Sequence, residues 1–336
     1  MGKNIKVLLL TDHETHSKTD SIFRICEHLH GFNQVYVASR GDIHNSNFFA
    51  GKDMSSVFTK KWNGKLTSQN GDNWFSDTEY TKTSLFIGIV LRIDPPLNGD
   101  FLNGLNSHFD IPIINSAKGI ELVGRRDFLL RFSSQNLIPK SEFHSSISEL
   151  ADLIEKQNSV VKLDESYGGK GVRRYVGTQR HRDFLSDTEF QKLISKNIKK
   201  FGGIFSQEYF DTVSLGDRRV IVSFGNPVGI ITRIPAESEW RSNVSQGASI
   251  SVEEVTTSDC ELVSKVDPLM RENGIFSYGI DCLTDNEGRQ KISEINVTNV
   301  GGYSQCKQYS GVSAAAVLAE DISLYFQSFA KNGVAL

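Results

Sequence analysis

The sequence predicts an α/β protein with α+β parts: a parallel-sheet unit, a small α+β unit and a mainly antiparallel β unit. Three observations carry this. Apolar runs alternate with amphipathic segments over the first third, the middle reads helix, strand, glycine loop, strand, helix, and the last third is dominated by strands. A chain of 336 residues accommodates two domains or three small ones, and the pattern divides it at 1–122, 123–206 and 207–336.

The first strand is Ile5–Leu10, a buried strand's length of apolar residues and far short of a membrane span. Ile22, Phe23, Ile25, Cys26 and Leu29 then mark one helical face, with Gly31 as the expected end of that helix. Further strands at Val35–Ala38, Leu85–Leu91 and Ile111–Ile114 give βαβ logic and a parallel sheet. Residues 40–80 show no clear period and read as an irregular excursion. In the middle unit Ile147, Leu150 and Ile154 share a helical face, and Val160–Leu163 is a strand. After the loop Gly168-Gly169-Lys170-Gly171 come a strand, Val172–Val176, and a helix from Ser186-Asp187 carrying Phe190, Leu193, Ile194 and Ile198. Strands follow at Ile204–Phe210, Arg218–Phe224 and Val228–Ile234, then a hairpin over 277–299 and a closing helix Val312–Phe329.

That hairpin carries the chemistry. If Glu287-Gly288 forms the tight turn, antiparallel pairing sets Asp281 opposite Glu294 on one face, and Asn296, two residues on, shares it. Two carboxylates and an amide make a hard, oxygen-only set of the kind that holds Mg²⁺ together with substrate phosphates. Ile292 is expected on the same face, which suggests a partly enclosed site. Cys282 points the other way, and a one-residue slip would separate the two carboxylates.

Two further groups converge on phosphate. The glycine loop has backbone N–H groups and Lys170 to offer, yet Asp164 and Gly171 break a Walker A pattern and Arg174 breaks a dinucleotide fingerprint. Lys162, on an apolar strand six residues before the loop, is a buried cation in need of a partner, and a phosphate would serve. Arg219 and Arg233 also sit on apolar strands, with Arg241 nearby, and read either as anion clamps or as internal salt bridges to Asp217, Glu237 or Glu239. His13-Glu14-Thr15-His16 lacks the order of a zinc helix and reads as a surface loop.

Composition excludes other classes. A net charge of −3, with basic residues in scattered pairs, gives no pull toward nucleic acid, and no segment spans a membrane. The four cysteines lack a Cys-x-x-Cys element, so reduced thiols in a cytoplasmic protein are expected. No Ser-His-Asp or Cys-His set points to covalent catalysis.

Taken in order, Arg92-Ile93-Asp94-Pro95-Pro96, the Lys162 strand with its glycine loop, Gln207-Glu208-Tyr209, Gly216-Asp217-Arg218-Arg219-Val220, Arg233-Ile234-Pro235, Arg241-Ser242-Asn243, Gly279-Ile280-Asp281 and Glu294-Ile295-Asn296-Val297-Thr298 resemble bacterial glutathione synthetase, of the ATP-grasp superfamily of carboxylate–amine ligases. The resemblance covers most of the chain. It implies an ATP-grasp fold with an N-terminal substrate-binding domain, a central lid domain and a C-terminal domain holding metal and catalytic groups. It further implies that Arg126, Lys162, Gly168, Gly169 and Lys170 meet the triphosphate, that Gln207, Glu208, Tyr209 and Phe210 hold adenine, largely by backbone, and that Asp217 meets the ribose. Asp281, Glu294 and Asn296 match the ligands of Mg²⁺, or of Mn²⁺ in its place. Arg219, Arg233, Arg241 and Asn243 match groups around the γ-phosphate and acyl substrate, and Asp20, Ser21 and Arg92 the N-terminal side of the peptide site.

The implied reaction forms an acyl phosphate from a carboxylate and ATP, which an amine then displaces. Small peptide or amino-acid substrates and a homo-oligomer follow from the resemblance. After Thr298 the family's Ser-Pro-Thr type of run is replaced by Asn299-Val300-Gly301-Gly302-Tyr303-Ser304-Gln305-Cys306. Three functions remain open: glutathione synthetase, a ligase of the same mechanism with another acceptor, and an ATP-binding regulatory protein.

Overall fold

The computed structural model describes residues 5–18, 20–166, 169–237, 239–242, 247–306 and 313–332, organised around three sheets. The first contains β1 (Lys6–Thr11), β2 (Gln34–Ser39), β3 (Ser56–Lys61), β4 (Glu79–Lys82), β5 (Gly88–Arg92) and β6 (Ile113–Ile114), ordered β4-β3-β2-β1-β5-β6. β2, β1, β5 and β6 are parallel, as the βαβ pattern requires, and Val7 to Leu10 are buried because helices cover both faces. The chain leaves β1 for β2 on one side and later places β5 on the other. That reversal opens a crevice beyond the carboxyl ends of β1 and β5, where Thr11 pairs with Arg92.

Several boundaries differ from the sequence reading. The first helix, Ile22–Phe32, runs past Gly31 and closes at Asn33, whose N–H reaches Leu29 O. β5 starts at Gly88 because Thr83–Leu85 forms a 3₁₀ turn, and the strand expected over 111–114 shortens to two residues. Residues 40–80 are ordered: β3 and β4 extend the sheet antiparallel beyond β2, with Trp62, Trp74 and Phe75 packed in the cluster that holds Val35 and Val37. His13 and His16 do not converge. His13 bonds Ser39 and Asp72, while His16 bonds Thr11.

The second sheet contains β7 (Ser141–His144), β8 (Ser159–Lys162), β9 (Val172–Tyr175) and β10 (Ile204–Glu208), ordered β7-β10-β8-β9. Leu150 and Ile154 of helix Ile147–Lys156 and Phe190 and Ile194 of helix Thr188–Phe201 form its core with Val161 and Tyr175. Asp187 caps the latter helix through Phe190 N, and Gly202, at φ +84°, ends it.

The third sheet is antiparallel throughout: β11 (Asp217–Ser223), β12 (Asn226–Ile234), β13 (Ser249–Glu253), β14 (Ser277–Thr284) and β15 (Gln290–Asn296), ordered β13-β12-β11-β14-β15. Between β13 and β14 lies a helix, Thr257–Glu272, that the sequence reading passed over because Pro268 and its many charges obscure the apolar period. Its Val263, Val266 and Met270 pack in one core with Val220, Val222, Ile230 and Ile280. The closing helix, Ala314–Asn332, buries Leu318, Ile322 and Phe326 in a cluster with Val7 and Leu9 of β1. All four cysteines are free, and no described helix is long and apolar enough to cross a membrane.

Candidate active site

Register alone assembles the site. Arg219 pairs with Asp281, Asp281 with Glu294, Gly279 with Asn296, and Asp217 with Arg233. Because side chains alternate along a strand, these six polar residues share one face of the third sheet. The opposite face carries Val220, Ile280, Cys282, Ile292 and Ile295, all in the core.

Asp281 meets Glu294 by a route the sequence did not reveal. The turn is a three-residue loop: Asp285 N donates to Arg289 O, Gly288 N donates to Asp285 O, and Gly288 takes φ +82°. That loop is out of step by one with the expected pairing, and Cys282 faces Ile292. A bulge at Ser293 restores Asp281 opposite Glu294. Ile292 is therefore not on the carboxylate face; it lies fully buried on the core side.

The bulge also frees a carbonyl. Lys162 Nζ, from β8 of the second sheet, donates to Ser293 O at 2.8 Å. The expected buried cation thus has a neutral partner, and burial together with the nearby Arg126 pushes its pKa down to about 8, despite Glu294 and Asp281.

Charges interlock across the face. Arg219 forks onto Asp281 (2.7 and 2.8 Å), and Arg233 forks onto Asp217 (2.7 and 2.6 Å) while also reaching Asp281 Oδ2 at 2.8 Å. Asn296 Nδ2 donates to the same Oδ2 at 3.0 Å. Burial pushes the Asp281 carboxyl up, but Arg219 and Arg233 outweigh it and hold the group well below the usual range. Burial and the Asp281 charge raise Asp217 to about 6. Arg126 NH1 lies 2.9 Å from Glu294 Oε1, with its backbone N–H on Asp164. Arg218, pointing the other way, binds Asp259 and Glu253.

Arg241 sits in the loop after β12, forked onto Glu239, which it holds at about pKa 2. Its NH1 also donates to Gly169 O at 2.9 Å, tying this loop to the glycine loop. Arg174 of β9 lies over the rings of Tyr209 and Trp240 at 5.9 and 5.3 Å, a second tie that the sequence gave no reason to expect. Lys170 is exposed. Gly168 and Asn243, both expected at the site, lie outside the described residues.

On β10, Gln207 is buried and its Nε2 has no hydrogen-bond partner among the described residues. The N–H groups of Glu208 and Tyr209 already bind Lys140 O and Asn158 O, and the Phe210 ring is buried. A cleft of about 660 Å³ opens beside β15 of the third sheet, with Arg126, Ser166, Glu294, Asn296 and Thr298 on its wall.

Asp20, Ser21 and Arg92 gather elsewhere, beneath residues 299–306. Ser304 N donates to Ser21 Oγ and Ser304 Oγ to Asp20 O, while the Asp20 carboxylate caps Ser17 N. Arg92 is buried, donates from NH2 to Val300 O at 2.8 Å, and leaves Nε without a partner among the described residues. Asn299 reaches Asp94 at 2.5 Å, and Tyr303 donates to Val222 O and meets Ser277. Asn115, missed by sequence reading because a lone Asn carries no pattern, bonds Phe276, Ser277 and Val297 through both ends of its amide.

The trio fits a hard divalent ion: its donors are oxygens only, adjacent by register, and Asp281 is 4% exposed. Among the described residues no group of three or more His, Cys, Asp or Glu side chains could hold a metal, and this set has two carboxylates and an amide.

A family model described as "Prokaryotic glutathione synthetase, ATP-grasp domain" matches residues 127–311. A glutathione synthetase of Agrobacterium fabrum is 27% identical over 77% of this chain and 78% of its own length. One from Synechococcus elongatus is 27% identical over 73% and 74%. In fold the chain is similar to D-cycloserine synthetase DcsG (TM-score 0.65, 12% identity, 96% and 99% of the two chains covered). It is also similar to D-alanyl-alanine synthetase A from Vibrio cholerae (TM-score 0.62, 12% identity, 99% and 100%).

Proposed function

Because the chain belongs to the prokaryotic glutathione synthetase family and is thus an ATP-dependent ligase of ATP-grasp fold that forms a C–N bond, we propose that it joins γ-glutamylcysteine to glycine. One observation carries the site assignment: Lys162 and Arg126 meet a sheet face on which Asp281, Glu294 and Asn296 stand beside Arg219 and Arg233.

In this reading Lys162, Arg126 and the loop containing Gly168, Gly169 and Lys170 bind the triphosphate. Gln207, whose Nε2 has no partner among the described residues, and the Glu208–Phe210 backbone take adenine, and Asp217 takes the ribose. Asp281, Glu294 and Asn296 would hold Mg²⁺, which when bound offsets the charge on the phosphate oxygens. A substrate carboxylate attacks the γ-phosphorus, ADP leaves, and the amine then displaces phosphate from the acyl carbon. Arg219 and Arg233 stabilise the transferring phosphoryl group and later the tetrahedral oxyanion, with Arg241 and Asn243 closing over them. The Arg241–Gly169 and Arg174–Trp240 ties keep the lid over the intermediate and exclude water. Asp20, Ser21 and Arg92 form the far end of the peptide site in a cytoplasmic homo-oligomer of domains 1–122, 123–206 and 207–336.

A second reading, ligation to an acceptor other than glycine, is supported by the segment 299–306, which departs from the family's Ser-Pro-Thr type of run and is anchored at Asp94, Ser21 and Arg92. One experiment decides: incubation with ATP, Mg²⁺ and panels of acids and amines, followed by the mass of the ligated product. Glutathione is expected; only a non-glycine product rejects the first reading in favour of the second.

A further inference from the structure

Both oxygens of Asp281 and one of Glu294, in the proposed metal set, are engaged by protein groups. Asp281 Oδ1 accepts from Arg219 Nε, Oδ2 accepts from Arg219, Arg233 and Asn296, and Glu294 Oε1 faces Arg126. Three guanidiniums thereby offset the three carboxylates Asp217, Asp281 and Glu294. A divalent ion needs these oxygens bare, so its entry is an exchange of cations. The two arginines on Asp281 are not equivalent. Arg233 keeps a complete fork on Asp217 after leaving Asp281, whereas among the described residues Arg219 forks onto Asp281 alone.

We propose that Arg219 is stored on Asp281 and is exchanged for the divalent cation that arrives with the nucleotide, offering its Nε–Nη2 fork to an anion only when the site is metal-loaded. This rests on the reading that Asp281, Glu294 and Asn296 take the metal. Before the exchange the Nε–Nη2 edge of Arg219 is committed to Asp281 and closed to a carboxylate or phosphoryl group. After it, the guanidinium stands next to the transferring group. Metal and anion binding are therefore positively coupled, and by linkage each tightens the other by the same factor.

The test uses the full-length protein with saturating ADP and follows Mn²⁺ binding through the signal of the free ion in electron paramagnetic resonance. Arg219→Gln removes the competing cation and is expected to bind Mn²⁺ at least fivefold more tightly than wild type. Arg218→Gln removes the same charge from the opposite face and is expected to change Mn²⁺ binding less than twofold. Unchanged or weaker binding in Arg219→Gln, or equal tightening in both variants, overturns the exchange. If Arg219→Gln does not fold, wild type is titrated with sulfate in ADP with and without Mg²⁺. Tighter sulfate binding with the metal supports the exchange and equal binding overturns it. Failure of the underlying site reading looks different: Glu294→Ala would then bind Mn²⁺ as wild type does.

Discussion

Glu294→Ala and Asp281→Ala are expected to lose the same activity and very different amounts of stability. Glu294 has a third of its side chain exposed (33%) and, among the described residues, a single ion pair, to Arg126, so its removal costs about 0.2–1 kcal/mol after solvent screening. Asp281 has 5% of its side chain exposed and holds both Arg219 and Arg233. Its removal strands two cations beside a single remaining carboxylate, Asp217, and breaking such a buried network costs about 3–5 kcal/mol. With a urea m-value of roughly 3 kcal/mol/M, the Asp281→Ala midpoint falls by about 1 M or more, while that of Glu294→Ala stays within about 0.3 M of wild type. Substrate-dependent ADP release, followed in a coupled assay, should fall by roughly 10²–10³-fold or more in both, because each loses a group that offsets charge during phosphoryl transfer. Near-normal turnover in either variant would falsify the mechanism. Equal destabilisation of the two would refute the assignment of the arginines to Asp281.

Two other outcomes follow from local geometry. Lys162 is a cation in the unfolded chain up to pH 10.5 but in the folded chain only to about 8, so free enzyme loses it as pH rises through 8 and ATP binding should weaken, by at most about tenfold per pH unit. Between 8 and 10.5 the unfolded chain binds more protons, so this residue's contribution to stability rises with pH; nucleotide titrations and melts of Lys162→Met, which should lack both trends, check this. Gly216 has φ +88° and a Cβ there would lie 2.2 Å from Arg233 O, so Gly216→Ala should destabilise by about 2 kcal/mol or more and disturb the Asp217–Arg233 fork; an unchanged denaturation midpoint speaks against it.

Much of the site was legible because period-2 strands put spaced residues on one face. Asp281, Glu294 and Asn296 could be brought together from the hairpin alone, and Lys162 stood out as a cation among apolar neighbours. The bulge at Ser293 could not be read, since no residue type marks it, and that hid both the inward turn of Ile292 and the carbonyl that receives Lys162. The sequence leaves the arginines open to salt bridges with Asp217, Glu237 or Glu239, and Arg233 pairs with Asp217 and Arg241 with Glu239. The Arg219 partner is Asp281, the carboxylate proposed to hold the metal, a cross-strand neighbour rather than a sequence neighbour. Residues 40–80 lack a legible period because β3 buries Thr59 while Phe58 stays half-buried beside its exposed partner Tyr80 of β4, so apolar residues do not mark the inner face. Helix Thr257–Glu272 escaped because its capping box, Thr256 with Asp259, precedes a stretch whose apolar face is only three residues wide in the core.

The most direct measurement follows oxygen. γ-Glutamylcysteine labelled with ¹⁸O in its reacting carboxylate is turned over with ATP, Mg²⁺ and glycine, and the released phosphate is weighed by mass spectrometry. Attack of that carboxylate on the γ-phosphorus transfers one ¹⁸O to each phosphate released. Phosphate free of label, at a rate matching product formation, contradicts ligation through an acyl phosphate.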